Sequence, residues 1–192
     1  MATAHATELP WSGDPDADRL IAADANALMI GFVLDQQVTV QQAFLGPLRL
    51  KQRLGHLDPA RIAATDPSTL EAAFRERPAI HRYPGSMAGR VQALCAAIAA
   101  DYGGDASLIW TGAADAADLR RRLVALPGIG DMKVRSIIVT VVKQLGVKPD
   151  GWRGEMPAHP TLGDCGTPEQ LAEYQAAKRA HKATMRAARP RS

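Results

Sequence analysis

Two runs of helical apolar spacing meet at Leu126-Pro127-Gly128-Ile129-Gly130, and that junction restricts the chain more than any other stretch. On its N-terminal side Leu119, Leu123 and Ala125 mark a helix that stops at Leu126, because proline disfavours helical geometry in the residue before it. After Gly130 a second helix restarts at once, with Val134, Ile137, Ile138, Val141, Val142 and Leu145 on one face. These residues are rich in β-branched side chains, but their spacing is helical rather than alternating. Gly128 and Gly130 allow a tight turn and, lacking side chains, let an anion approach the backbone amides. Those amides and the N-terminal end of the following helix form an expected phosphate site, with Lys133 and Arg135 placed to add charged contacts. The same turn also occurs in ordinary helical hairpins, so the motif acquires weight only with its surroundings.

The surroundings are helical throughout. Asp14-Pro15, Asp58-Pro59 and Asp66-Pro67 each combine an N-cap carboxylate with a proline suited to the first helical position. Thr167-Pro168-Glu169-Gln170 is a fourth start, where Gln170 can reach back to Thr167. Helices are predicted near 15–23, 25–36, 39–53, 59–64, 67–76, 86–101, 115–125, 131–145 and 168–188. No segment alternates as a half-buried strand would, so the expected fold is all-α, a single unit spanning 1–192. Residues 148–166 lack a clear period and are expected to form an extended loop, and 167–192 a C-terminal helix with a basic tail. That tail carries Lys178, Arg179, Lys182, Arg186, Arg189 and Arg191 with no acid after Glu173, which suits either a solvated helix or a supplementary phosphate-binding arm.

Composition narrows the partners. A net charge of +3 with a pI of about 9.1 is a mild basic excess compatible with a phosphate-bearing partner. Two cysteines cannot by themselves build a disulfide framework, a four-cysteine zinc site or an iron-sulfur cluster, and no metal ligands are assigned. Cys95 shares an apolar stripe with Val91, Leu94 and Ile98 and is expected in the core. Met1 to Thr7 lacks the basic-then-apolar pattern of an export signal, and the best apolar run, Ala27 to Leu34, falls short of the roughly 18 residues of a spanning helix. A cytoplasmic location without membrane contact is therefore expected, nucleoid-associated if the source is bacterial, and the protein is taken to be a monomer.

With these features in place the sequence resembles the helix-hairpin-helix glycosylase superfamily, which includes endonuclease III and the adenine and alkyladenine glycosylases. The similarity covers 27–150. Besides the hairpin, Met29-Ile30-Gly31-Phe32-Val33-Leu34-Asp35-Gln36-Gln37-Val38 looks like that family's early helix ending in a glutamine motif. His81-Arg82-Tyr83-Pro84-Gly85-Ser86-Met87-Ala88-Gly89-Arg90 looks like its middle segment. The resemblance implies two helical lobes flanking a cleft, duplex DNA as partner, and a flipped nucleotide whose base is released with the help of a carboxylate.

Site roles follow from the same resemblance. Asp150, 24 positions beyond Leu126, falls where the family carries its catalytic aspartate, although Gly151-Trp152 replaces the usual following residues. Gln36 and Gln37 fall where a family residue fills the gap left by the flipped base, and are equally readable as a polar helix end. The lyase lysine of bifunctional members aligns with Met132, leaving Lys133 one position on and about 100° around the helix. This implies a monofunctional DNA N-glycosylase, against the alternatives of a catalytically silent DNA-binding protein or an abasic-site lyase using Lys133. No iron-sulfur centre is expected, and a monovalent cation at the hairpin is compatible with the pattern. His81, Tyr83 and Trp152 are candidates for a stacking pocket or for plain structural roles. Asp35 stands where the family often has a small residue, and is expected to cap a helix or to pair with a base such as Arg82 or Arg90.

Overall fold

The aspartates that mark helix starts in the sequence do so in space. Asp14 accepts the Asp16 and Ala17 amides, Asp58 that of Arg61, and Asp66 that of Thr69, each with proline at the first helical position. A computed structural model of the protein describes residues 5–187. Its helices are α1 (Pro15–Ala23), α2 (Ala25–Leu34), α3 (Val40–Leu54), α4 (Pro59–Ala64), α5 (Pro67–Arg75), α6 (Pro84–Tyr102), α7 (Leu108–Thr111), α8 (Ala116–Val124), α9 (Asp131–Lys143) and α10 (Pro168–Ala187). No strand occurs among the described residues, so the all-α expectation holds.

Helix α2 is apolar on every face, with Ala27 through Leu34 all buried, and helices of that kind lie at the centre of a fold. It packs against α1, α3 and α6. The approach to α3 is close enough that a Cβ on Gly31 would stand 2.5 Å from Phe44 Cδ1, so only glycine admits the ring there. Phe44 stacks edge-on with Trp11 and Phe32 at centroid distances of 4.9 and 5.2 Å, a favourable arrangement of ring quadrupoles. Cys95 lies buried in the same core, and its burial pushes the thiol up to about 12.

Three differences from the sequence expectation bear on the site, beside shifts of one or two residues at other helix ends and the short helix α7. Helix α2 ends at Leu34 rather than 36, because the chain turns sharply through Gln37, whose φ of 55° lies in the left-handed region. Helix α6 starts at Pro84, with proline at its first position. The segment 148–166 contains two 3-10 helices, Trp152–Glu155 and Leu162–Asp164. The second is drawn inward by Leu162 and Cys165, both buried, and the Trp11 indole N–H donates to the Cys165 carbonyl at 2.7 Å. The expected capping box at Thr167 forms: Gln170 Oε1 accepts the Gly166 and Thr167 amides.

Candidate nucleic-acid interface

Helices α8 and α9 are joined by the predicted hairpin, and its residues divide into anchors and presenters. Leu126 and Ile129 are buried, whereas Pro127, Gly128 and Gly130 are exposed. The Ile129 amide closes a turn onto the Leu126 carbonyl at 3.2 Å. Gly128 has a φ of +79°, which favours glycine, and it sits over Val33 of α2, whose Cγ2 would be 3.4 Å from an added Cβ. Gly130 differs: its φ of −93° and ψ of 171° suit any residue, and an added Cβ would meet nothing within 4 Å. Nothing inside the protein requires glycine at 130.

The main-chain amides here are free. Among the described residues the Gly128 and Gly130 N–H groups have no hydrogen-bond acceptor, and α9 begins without a side-chain cap. Buried amides are almost always paired, so unpaired ones at an exposed helix start are a ready anion site. The Asp131 carboxylate beside them is drawn to Arg120 at 3.2 Å. Arg120 also holds Glu155 of the first 3-10 helix at 3.4 Å.

Lys133 connects this hairpin to the end of α2. Its ammonium donates to the Val33 carbonyl at 3.2 Å and the Gly128 carbonyl at 3.1 Å. Burial pulls the amine down to about 8, against the opposing pull of the nearby Asp35 carboxylate. Met132, one position earlier, is 80% exposed. The one-residue offset noted in the sequence therefore turns the lysine inward and the methionine outward. Arg135, a further two residues on, is exposed and lies about 200° around α9 from Lys133.

The turn after α2 presents the glutamines. Gln36 is tied down: its Nε2 donates to the Val33 carbonyl at 3.0 Å and its Oε1 accepts from Arg90. Gln37 is exposed, with its Oε1 3.5 Å from the Tyr83 hydroxyl. His81 braces this turn from beneath. The Tyr83 N–H donates to its Nδ1 at 3.1 Å, so Nε2 carries the hydrogen and donates to the Gln36 carbonyl at 2.9 Å. The ring is fully buried, and desolvation, with Arg82 and Arg90 nearby, holds its pKa below the ordinary value. His81 is thus a strut of the turn, and Tyr83, with the Arg82 guanidinium 4.8 Å over its ring, is the exposed aromatic. Trp152 stands apart from both on the first 3-10 helix, flanked by Lys148 and Arg153.

Asp35 does not pair with Arg82 or Arg90 as expected. It ends α2, its charged neighbours are Lys133 and Lys178 of α10, and its desolvation raises its pKa. Helix α10 reaches this position because Leu171 is buried and Gln175 exchanges hydrogen bonds with Gln41 of α3 at 3.0 and 3.4 Å. The sequence carried no signal of this approach. Arg189 and Arg191, with the side chains of Lys182 and Arg186, lie outside the described residues.

Asp150 is exposed, and its carbonyl accepts the Ala116 amide at 2.9 Å. Ala116 begins α8, so Asp150 lies at the opposite end of a nine-residue helix from the hairpin, a length of about 13 Å. The structure thus brings together the hairpin, Lys133, Gln36 and Gln37, and places Arg135 and Asp150 elsewhere.

An all-helical protein that offers unpaired amides at a glycine-bearing turn between two helices is of the kind that grips a nucleic-acid backbone. The model of the HhH-GPD superfamily of base excision DNA repair proteins matches residues 30–187, and the chain belongs to that superfamily. A DNA-binding role in base excision repair follows. No curated protein and no solved structure matches the chain. No helix among the described residues is long and apolar enough to cross a membrane.

Proposed function

We propose that the protein is a monofunctional DNA N-glycosylase that binds double-stranded DNA as a monomer, extrudes a damaged or mispaired base and cleaves its glycosidic bond. One observation carries the reading: the open amides of the hairpin are held, through Lys133, to the helix end from which Gln37 projects. A backbone grip and a side chain able to fill a vacated stack then act as one rigid unit. The reaction needs a carboxylate to activate water or stabilise an oxocarbenium-like sugar, and the family resemblance nominates Asp150. A monovalent cation at the hairpin would take its ligands from carbonyls other than that of Gly128, which holds Lys133.

A panel of duplexes carrying alkylated, oxidised, deaminated and mispaired bases tests the reading under enzyme excess. Release of at least one base supports it, and no release from any duplex contradicts it. Asp150→Asn tests this nomination: abolished release with duplex affinity retained assigns the carboxylate to Asp150, and unchanged release removes it from the mechanism. A second reading rests on the lowered pKa of Lys133, since a partly neutral amine is what Schiff-base chemistry needs. Borohydride trapping on abasic duplex separates the two: the monofunctional reading predicts no covalent adduct.

A further inference from the structure

Asp35 is held in a way that structure alone does not reward. It is half-buried where α2 ends, and its own amide closes the helix onto the Gly31 carbonyl at 3.0 Å. Its carboxylate accepts no hydrogen bond and forms no ion pair within 4 Å among the described residues. The lysine best placed to pair with it, Lys133, instead donates its hydrogen bonds to the Val33 and Gly128 carbonyls. A desolvated carboxylate with unfilled acceptor sites is costly unless something else fills them.

Its position suggests what that is. Val33, two residues earlier on the same helix end, lies directly beneath Gly128 of the hairpin. Gln37, two residues later, projects outward. A strand held on the hairpin and opened at Gln37 would bring the sugar of the extruded nucleotide near the helix end that Asp35 closes. The other carboxylates near the hairpin, Asp131 and Glu155, are both engaged by Arg120.

We propose that Asp35 is a catalytic carboxylate of this protein, facing the sugar of the flipped nucleotide. The inference rests on the glycosylase reading above. As the C1′–N bond breaks, its electron pair leaves with the base, and the positive charge developing on the sugar is stabilised by Asp35. Water then adds its oxygen to C1′ and gives a proton to Asp35, while the departing nitrogen takes up a proton from solvent. Asp35 finally returns its proton to solvent. Desolvation raises the pKa of Asp35 and the charges of Lys178 and Lys133 oppose that rise, while the same dry surroundings strengthen the attraction of the ionised carboxylate for a cation.

A test that needs no knowledge of the lesion compares two duplexes, one holding a cationic pyrrolidine in place of the nucleoside and one a neutral tetrahydrofuran. The full-length protein is expected to prefer the pyrrolidine duplex by about tenfold or more, as one well-placed charge provides. Asp35→Asn is expected to erase that preference while leaving tetrahydrofuran affinity within about threefold. Asp35→Glu, which keeps the charge, is expected to retain part of it. The proposal is overturned if Asp35→Asn keeps the preference, if the unaltered protein has none, or if Asp35→Asn loses both duplexes alike, which marks a structural carboxylate. Failure of the glycosylase reading is seen separately in the lesion panel, because an Asp35-dependent preference without base release leaves the site standing and removes the reaction.

Discussion

The Lys133 ammonium reaches back across the hairpin to the Val33 carbonyl at 3.2 Å, and its second bond, to Gly128, ties the loop to the central helix. This cross-link is a charge in a partly dry place, so its net worth is a balance. Lys133→Met forfeits two hydrogen bonds but removes a desolvated ammonium, while Gln36 still covers the Val33 carbonyl and water can reach exposed Gly128. Global stability is expected to change by no more than about 1 kcal/mol, whereas hydrogen exchange at the hairpin amides accelerates several-fold. Exchange measured by mass spectrometry alongside thermal melting checks both halves.

Gly130 separates binding from folding. Its backbone angles suit any residue and an added Cβ meets no protein atom within 4 Å, so Gly130→Ala leaves the folding stability within about 0.5 kcal/mol of the original. The same methyl group stands where a phosphate must approach, and duplex affinity is expected to fall about tenfold, equally for all sequences. Fluorescence anisotropy with two unrelated duplexes measures this. An unchanged affinity would remove the amides from the interface.

Gln37 holds a left-handed backbone that a non-glycine residue adopts at a cost of roughly 1 kcal/mol. Gln37→Gly relieves that strain, so the protein is expected to be as stable or slightly more so. On the proposed glycosylase reading extrusion suffers instead, because the side chain proposed to fill the vacated stack is gone. A 2-aminopurine placed beside an abasic analogue reports it, with smaller fluorescence enhancement in the variant at matched occupancy.

The buried His81 ring gives a pH signature. Its folded pKa lies below the unfolded value, so its contribution to stability is full above the ordinary imidazole range and is lost as pH falls through it toward the depressed folded value. Protonation would also place a hydrogen on Nδ1, which now accepts the Tyr83 amide. Melting temperature is expected to decline on acidification below about pH 6.5. His56 shifts in the same direction, so His81→Gln isolates the buried ring by flattening part of that decline.

The hairpin was legible in the sequence because its signals are local: proline stops one helix, two glycines shape the turn, and a periodic face restarts the next. The aspartate-capped helix starts were legible for the same reason. Lys133 was not, since its inward course depends on α2 lying beneath the loop, a contact between residues 100 positions apart. The environment of Asp35 was hidden likewise, because Lys178 arrives on α10, docked through Leu171 and the Gln41–Gln175 pair. The inward pull of Leu162 and Cys165 organised a stretch whose glycine and proline content reads as loop. Local chemistry announces turns and caps, whereas desolvation and charge neighbours emerge only from packing.

If the free main-chain N–H groups of the hairpin hold the DNA backbone, the backbone amide resonances of Gly128 and Gly130 report it most directly. During titration with an undamaged duplex at low salt, these two resonances are expected to move downfield among the largest shifts in the spectrum, and the shifts to shrink as salt is raised. Saturation of the protein with duplex while both resonances stay in place would contradict the account.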